Sequence, residues 1–570
     1  MKKIKARKWL SILLCIVLAF SMFPVATSAA EGDVEYLYCD ENGENWQTGI
    51  KADGEYTLAT SSDTSWSNGW YVVEGSITNS NRITVSGDVH LILADGCEFN
   101  ATSGILVSSG NSLTIYGQSL GTGKLVATAW KNGGDAGIGG VHHSTAGSIT
   151  INGGNIEATG YNGGAGIGGG HAGAPQSITI NGGNVIANGG ACSGNGSGAG
   201  IGCGYATSGG TVKINGGTVV ANGNGKANQN APGIGGGSSI SSDNTTVIIN
   251  GGVVTATCLD NSVSGIGGNF STGTDGNAVI FTNSISDQSG KDNWNGVIFE
   301  GNHGKVYGTN ITITDDFTVE SGKTLTIADG QTLIIPDGVT LTNNGTITNN
   351  GTITNNGNVY VDGDLTGTFS GTGNVYYPLT VVNASADGDL TDYNSKTYGK
   401  AGGEIALSCA TAPIGQSFGE WISTPTVTVS DSNTFTMPNS ALTITAQYVN
   451  APTYTVTIPA TVELGEEITI SATGVNVVSG SQLEVKLTGT SEADNAFLLK
   501  TDEGAQLNYG ITKDSTALSV GSTVLTVAGG IADNTGTANL SFVKQGSEAY
   551  AGAYKGTVTF TVSVEEVVSP

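Results

Sequence analysis

Residues 147–169 read GSITINGGNIEATGYNGGAGIGG, and this pattern recurs along the middle of the 570-residue chain. The glycine block at its end occurs five times, and the copies start 29, 34, 33 and 32 residues apart. A period of this length is typical of proteins in which each repeat buries its apolar face by stacking on its neighbours. The blocks are Gly137–Gly140, Gly166–Gly169, Gly200–Cys203, Gly233–Gly236 and Gly265–Gly268.

Two short stretches of each repeat alternate apolar and polar residues on either side of an Asn-Gly-Gly corner. This period of two predicts strands with one buried face, and the paired glycines permit positive φ at the bend. A third stretch around the glycine block completes a coil of about 30 residues. The aligned apolar positions are Ile149, Ile151, Ile156 and Ala158, then Ile178, Ile180, Val185 and Ala187, then Val212, Ile214, Val219 and Ala221, then Val247, Ile249, Val254 and Ala256.

Stacking of these coils defines the predicted fold class, which is all-β: a right-handed parallel β-helix (solenoid) followed by two small β domains. Each strand is expected to pair with its equivalent one coil away, at about 4.8 Å. Helices are not expected, because Thr, Val, Ile, Asn and Gly are poor helix formers. Two internal ladders are predicted, one of amides at Asn152, Asn181, Asn215 and Asn250 and one of buried side chains at Ile138, Ile167, Ile201, Ile234 and Ile266.

The pattern changes along the chain and predicts five segments. In the third of them, the apolar residues Leu341, Ile347, Ile353, Val359 and Leu365 stand six apart, which indicates a second solenoid of shorter period. The last segment alternates strands and turns with the spacing of an Ig-like β-sandwich. The segments are an export signal at 1–30, the glycine-rich β-helix at 31–308, the short-period β-solenoid at 309–377, a small β module at 378–449 and the sandwich at 450–570.

Charge and targeting limit the function classes. Five basic residues precede an apolar run from Trp9 to Phe20, a pattern typical of a secretory signal and too short to cross a bilayer comfortably. Removing five of the 21 basic residues and no acidic one changes the formal net charge from −26 to −31. Nucleic acid is therefore excluded as a partner, since its binding requires cationic side chains. We expect a secreted protein, extracellular or associated with a cell surface, without membrane insertion.

Six cysteines remain after the signal, and they are too sparse for a disulfide scaffold. Cys192 and Cys203 are close enough in sequence to share one coil, so they either pair or stay as isolated buried thiols. No His/Cys cluster with zinc spacing is recognisable in the sequence.

One column of residues predicts a binding surface. The residues four positions after the Ile of successive glycine blocks are His142, His171, Tyr205, Ser238 and Phe270. Stacked coils would place them in a line along one edge, where planar rings could lie against sugars. Alternatively, these side chains only stack on one another. We predict His142, His171, Tyr205 and Phe270 as the ligand-binding residues. Trp66 and Trp70 form either a second platform or a cover for the open end of the solenoid.

Catalysis is not expected. Enzymes that cleave polysaccharides need clustered carboxylates or a metal site, but the coils from 131 to 270 contain chiefly Asp135, Glu157 and Asp243. Asp135 is interpreted as a solvated turn residue and not as a catalytic acid. The Gly-Gly-Asp-Ala at 133–136 is similar to calcium-binding repeats but occurs once, so no cofactor and no metal site is predicted, with calcium kept as an option. The glycine blocks are not phosphate loops, because no helix follows them.

Two resemblances extend this interpretation. The repeats resemble glycine-rich β-helix proteins secreted by Gram-positive bacteria, some of which are grouped with carbohydrate-binding domains. Residues 379–449 contain Phe418-Gly419-Glu420-Trp421 and Phe435-Thr436-Met437-Pro438 and resemble the internalin-type B repeat of bacterial surface proteins. This second resemblance implies a small β module with Trp421 in its core.

Together the resemblances imply a secreted, adhesin-like surface protein that presents a β-helical face to glycans or to host or cell-wall ligands. The alternative is a polysaccharide-binding module assisted by calcium. A β-helical polysaccharide lyase or hydrolase is the third interpretation, and the scarcity of carboxylates disfavours it.

Overall fold

The computed structural model describes residues 32–131, 133–192, 196–224, 230–259, 263–274, 277–547 and 552–567. The export signal predicted at residues 1–30 lies outside the described residues. The chain forms two compact units, one ending at Tyr376 and the other beginning at Tyr377. No helix of the described ranges is long and apolar enough to cross a membrane. The described residues of both units form β-strands, and a short 3-10 helix lies at Lys291–Asn293.

The first unit is a parallel β-helix, as the sequence predicts, and its glycine-rich part has three strands per coil. The first face contains Ser112–Gly117, Ala146–Ile151, Pro175–Ile180, Thr211–Ile214, Thr246–Ile249 and Asn269–Thr272. The second face contains Ser76–Asn79, Glu98–Ala101, Lys124–Thr128, Asn155–Thr159, Asn184–Asn188, Thr218–Gly223, Val253–Cys258, Val279–Thr282 and Gly296–Glu300. The third face contains Ile105–Val107, Ile138–Gly139, Ile167–Gly168, Ile201–Gly202 and Ile234–Gly235.

The register between coils follows the alternation in the sequence. Ile149 pairs with Ile178 and Ile151 with Ile180, and these side chains are buried in one continuous core. The predicted ladder of glycine-block isoleucines is confirmed, because all five are fully buried and each pairs with the next. Because β-strands bury every second residue, the repeated Ile-Thr-Ile pattern is enough to fix which side faces the core.

The N-terminal end is closed by long strands and aromatic side chains. Val34–Tyr38 pairs antiparallel with Gln47–Lys51, and the parallel strands Tyr56–Leu58, Ser65–Val73 and Ile83–Leu93 lead into the first coils. Trp66 is fully buried in the solenoid core, which fits a cover for the core and rules out a binding platform. Trp70 is half-buried, and its ring stacks on His90 with centroids 4.3 Å apart.

After residue 300 the coil becomes shorter. Gly296–Glu300 pairs antiparallel with His303–Tyr307, and parallel pairing then resumes. Thr340 pairs with Asn358, so one coil takes 18 residues, and the six-residue repeat of the sequence is one strand with its corner. The three faces contain His303–Tyr307, Thr324–Ile327, Thr346–Asn349 and Asp364–Thr366; Asn310–Thr312, Thr332–Ile335, Thr352–Asn355 and Phe369–Ser370; and Phe317–Val319, Thr340–Asn343, Asn358–Val361 and Asn374–Val382.

The second unit begins with a small, mostly antiparallel β module whose core contains Tyr398, Ile405 and Phe435. The prediction that Trp421 lies in this core is wrong. Its side chain is half-buried, its Nε1 donates to Asn433 Oδ1 at 2.9 Å, and its strand shifts register against its neighbour close by. The strands that lie wholly in this module are Ala384–Gly388, Leu390–Tyr393, Lys396–Lys400, Glu404–Cys409, Gln416–Thr424, Thr434–Thr436 and Leu442–Asn450. Residues 379–382, at the end of the strand Asn374–Val382, pair with residues 442–445.

The C-terminal part of the second unit consists of two antiparallel sheets around one apolar core, the arrangement of a β-sandwich. One sheet contains Thr453–Thr457, Glu467–Asn476, Asn534–Gln545, Gln506–Lys513, Leu498–Lys500 and Thr516–Ala517. The other contains Thr523–Ala528, Ser481–Thr490 and Val558–Glu566.

Candidate functional site

The Asn-Gly-Gly corners of the glycine-rich coils form a polar ladder along the solenoid. The amide of Asn181 donates to Asn152 Oδ1 at 2.8 Å, Asn215 donates to Asn181 Oδ1 at 2.8 Å, and Asn250 donates to Asn215 Oδ1 at 2.7 Å. The predicted amide ladder is therefore confirmed. The corner glycines carry no side chains of their own, so the corners make a narrow floor of amide and peptide groups.

A loop from the N-terminal hairpin lies over this floor. Two oxygens of Asp40 hold the loop in shape by accepting hydrogen bonds from the backbone of Asn42 and Glu44 and from the side chain of Asn45. Lys213 Nζ then donates to the carbonyl oxygen of Glu41 at 2.9 Å, which fixes the loop to the coils. These contacts join residues that are 172 positions apart in the chain.

Trp46, in the same loop, is 42% exposed and lies directly above Gly182. A Cβ at Gly182 would come within 3.0 Å of the Trp46 ring, so the absence of a side chain at this corner allows the contact. The ring therefore rests on backbone at one end of the floor and leaves much of its surface open to solvent.

Loop and corners together enclose a cavity of about 710 Å³, called here the asparagine groove. This size falls within the usual range for small-ligand sites. Burial raises the pKa of Asp315, one of its two lining carboxylates, and the neighbouring Asp316 adds to the effect. The lining residues are Asn42, Gly43, Glu44, Trp46, Asn181, Gly182, Gly183, Asn215, Gly216, Gly217, Asn250, Gly273, Thr274, Asn277, Thr314 and Asp315.

The predicted ring column is present over part of its length, on the turn between the third and first faces. The rings of His142 and His171 are 4.4 Å apart and nearly perpendicular, and those of His171 and Tyr205 are 5.0 Å apart. Ser238 continues the column but is buried, with its hydroxyl bonded to the backbone of Ser197. Sugar binding by His142, His171 and Tyr205 stays a prediction.

Phe270 does not belong to this column, and its prediction as a ligand-binding residue is wrong. The turn after Ile266 is shorter than in the preceding coils, so Phe270 lies in register with Val247 on the first face. Its side chain is only 3% exposed and packs against Trp294 with ring centroids 5.1 Å apart. A buried ring in the core has no face to offer a ligand.

The structure also assembles a group that the sequence analysis did not predict, called here the histidine cluster: His142, His143 and His171. One ring nitrogen of each lies within 4.8 Å of one ring nitrogen of both others. Burial lowers the pKa of His171, and the two neighbouring histidines add to this shift. The sequence signal was the repeat length, because a 29-residue coil brings position 171 beside positions 142 and 143. Spacing rules for zinc sites are written for short separations and miss it.

Asp135 is not the solvated turn residue that the sequence predicts. It is 3% exposed, its carboxylate contacts the Arg82 guanidinium, and it accepts the backbone N–H of His142 at 3.0 Å. A carboxylate engaged in this way is not an open calcium ligand. Cys192 and Cys203 are both free, and Cys203 Sγ lies 3.2 Å from the carbonyl oxygen of Gly209.

The fold and these sites define an all-β solenoid protein with a region of β-helix repeats and a separate small β module. Residues 149–171, 178–205, 212–238 and 247–270 match the family described as Beta helix repeat. Residues 377–452 match the family described as Divergent InlB B-repeat domain. No curated protein matches the chain.

Among solved structures, the chain is similar to one described as the CsuC-CsuE chaperone-tip adhesion subunit pre-assembly complex from archaic chaperone-usher Csu pili of Acinetobacter baumannii. The sequences are 15% identical, and the match covers 31% of this chain and 66% of that chain. The chain thus spans just under two thirds of that structure's length. The TM-score of 0.16 is too low for this similarity to support any argument.

Proposed function

We propose that this protein is a secreted, surface-associated, adhesin-like binding protein whose β-helix binds a polysaccharide or host glycan in the asparagine groove. The observation that carries the proposal is the exposed Trp46 ring above a floor of asparagine amides and glycine backbone. The β-helix repeats and the B-repeat-like module fit a surface protein of this kind. Secretion rests on the export signal predicted at residues 1–30.

The chemistry of the groove suits a carbohydrate. A sugar ring has an apolar C–H face and a rim of hydroxyl groups, so it needs a flat apolar surface beside several hydrogen-bonding groups. Trp46 supplies the surface, and the amides of Asn181 and Asn250 supply donors and acceptors that are fixed by the ladder. Asn215 supplies an acceptor only, because its amide N–H groups donate to Asn181 and to the Glu41 carbonyl. Because the ladder is already formed, little side-chain entropy is lost on binding.

The floor has a repeat that favours a chain-like ligand over a single sugar. From Gly182 to Gly273 it crosses three coil steps of about 4.8 Å, or roughly 14 Å. Successive residues of a polysaccharide could therefore meet the same amide and peptide groups at each step. Catalysis is not part of the proposal, although Glu44 and Asp315 both line the groove and make hydrolysis the alternative to be tested.

The test is a glycan array with the purified full chain, followed by affinity measurements on the glycans that bind. Removing the stacking surface with Trp46→Ala should weaken binding by about tenfold or more, the equivalent of about 1.4 kcal/mol. Trp130→Ala is the matched control, because Trp130 is 47% exposed and does not line the groove. That variant should bind like the wild type.

Three outcomes would contradict the proposal. Full binding by a correctly folded Trp46→Ala variant would remove the asparagine groove as the site. Release of reducing ends or unsaturated products from the bound polysaccharide would indicate the hydrolase or lyase alternative. Loss of binding in EGTA, restored by added calcium, would instead indicate the calcium-assisted module.

A further inference from the structure

We propose that the histidine cluster binds one divalent transition-metal ion of the kind that prefers imidazole, with Zn²⁺ as the reference ion. Its ligands would be one ring nitrogen each from His142, His143 and His171. None of these residues lines the asparagine groove, so this inference stands independently of the glycan proposal.

The distances are close to those that a metal requires. Zn–N bonds of about 2.0–2.1 Å in a tetrahedral site put ligand nitrogens roughly 3.4 Å from one another. The three nitrogens already lie within 4.8 Å of one another. His142 and His143 are exposed on a turn, so small side-chain rotations of these two rings can close the remaining gap without moving the core.

The backbone of all three histidines is held in place by hydrogen bonds. Besides the bond from His142 to Asp135, the His143 N–H donates to the His171 carbonyl at 2.7 Å, and the His171 N–H donates to the Gly134 carbonyl at 2.5 Å. Consecutive coils therefore fix the positions from which the rings project. Preorganisation of this kind reduces the entropy lost when a ligand set closes around an ion.

One ring nitrogen of His171 is buried without a partner. Its Nδ1 makes no hydrogen bond to any of the described residues. Unpaired buried polar atoms are uncommon in native proteins, and a bound ion can supply the missing interaction. The ring itself is packed between His142 on one side and Tyr205 on the other, which limits its rotation.

The donor set selects the class of metal. Three imidazoles suit Zn²⁺, Cu²⁺ and Ni²⁺, whereas Ca²⁺ and Mg²⁺ require oxygen ligands. The nearby carboxylate of Asp135 is already engaged by Arg82 and adds no oxygen donor. Three protein ligands leave the fourth tetrahedral position to water or to a group of a bound molecule.

The experiment measures Zn²⁺ binding to the full chain, without a polyhistidine tag, by equilibrium dialysis and calorimetry. We expect one equivalent of Zn²⁺ bound in the micromolar range or tighter, and no competition by excess Ca²⁺ or Mg²⁺. Replacing Zn²⁺ with Co²⁺ should give the intense visible absorption of a tetrahedral site with nitrogen ligands. No binding, or binding with equal strength after the ligands are removed, would overturn the proposal.

Variants can be taken from equivalent positions in other coils, where the fold already accepts them. Residue 172, which corresponds to His143, is an alanine with the same left-handed φ, and Ser238 corresponds to His142. The double variant His142→Ser/His143→Ala should therefore fold and lose at least about tenfold in affinity for Zn²⁺. His303→Ala, which removes an exposed histidine elsewhere, should leave binding unchanged.

The double variant leaves the packed ring of His171 in place, so the test does not depend on whether a His171 variant folds. Circular dichroism and thermal unfolding of each variant without metal establish that the β-helix is intact. Unchanged Zn²⁺ affinity in a folded double variant is the decisive result against the site.

Discussion

Asp135 and Arg82 form an ion pair between residues 53 positions apart, and the Asp135 side chain is 4% exposed. The same carboxylate accepts the backbone N–H of His142. The pair thus connects the first coils to the turn that carries the histidine cluster. Trp130 lies beside the guanidinium, with its ring centroid 5.4 Å from Arg82 Cζ, and shields the pair from one side.

Arg82→Ala should destabilise the first unit, because it leaves the Asp135 carboxylate buried without a countercharge. Breaking a buried pair on one side costs about 3 kcal/mol or more. Urea denaturation followed by circular dichroism measures this loss. The control is Lys124→Ala, which breaks a pair with Glu157 at 3.9 Å between side chains that are 43% and 45% exposed. An exposed pair of this kind contributes less than about 1 kcal/mol, so equal effects of the two variants would contradict the assignment.

The position of each asparagine in the corner ladder should determine how much its replacement by alanine lowers the free energy of unfolding. Asn181 both donates to Asn152 and accepts from Asn215, so Asn181→Ala removes two hydrogen bonds. It takes the donor away from Asn152 Oδ1 and the acceptor away from one N–H of Asn215. We expect the free energy of unfolding to fall by about 2 kcal/mol. Asn250 ends the described ladder and makes one ladder bond, to Asn215. Asn250→Ala should therefore lower the free energy of unfolding by about half as much. Thermal and urea unfolding compare the two variants, and a larger effect at position 250 would rule out a cooperative ladder.

The fold could be predicted from the sequence because its rules are local and repeated. The alternation around Asn-Gly-Gly fixes which residues are buried, and the repeat length then fixes the register of Ile149 with Ile178. The same reasoning placed Phe270 wrongly in the ring column. Alignment to the glycine block assumes that the turn after the block has the same length in every coil. The turn after Ile266 is shortened, and strand pairing with Val247 decides the position instead.

The candidate sites were less predictable, because they depend on contacts between distant parts of the chain. Nothing in the local sequence of Trp46 indicates that it lies over Gly182. The burial of Asp135 depends on Arg82, which precedes the glycine-rich repeats and carries no periodic signal. The histidine cluster could have been predicted, since His142 and His171 occupy equivalent positions in the repeat. That prediction requires the side chains of neighbouring coils to be considered together as a set of metal ligands.

The thiol of Cys203 should be unreactive toward alkylating reagents in the folded protein. Burial raises the pKa of Cys203 to about 12, so the reactive thiolate is scarce at neutral and mildly alkaline pH. We expect iodoacetamide to leave Cys203 unmodified in the native protein and to modify it after denaturation, as peptide mass spectrometry can show. Rapid labelling of the native protein would contradict its burial. An intact mass lower than that of the reduced chain by two hydrogen atoms, with residues 192 and 203 linked, would contradict the free thiols.

The close approach of successive coils at the glycine blocks should make Gly168→Ala strongly destabilising. Gly168 has φ +130°, and a Cβ there would lie 2.0 Å from the carbonyl oxygen of Gly202 in the next coil. The substitution therefore combines backbone strain of about 1–3 kcal/mol with a collision that only separation of the coils can relieve. The control is Gly110→Ala, since Gly110 has φ +84° and open space where a Cβ would lie. The Gly110→Ala variant therefore has the backbone strain but no collision between coils. Urea unfolding should show a clearly larger loss of free energy of unfolding for Gly168→Ala than for Gly110→Ala. Equal losses would mean that coil spacing does not depend on these glycines.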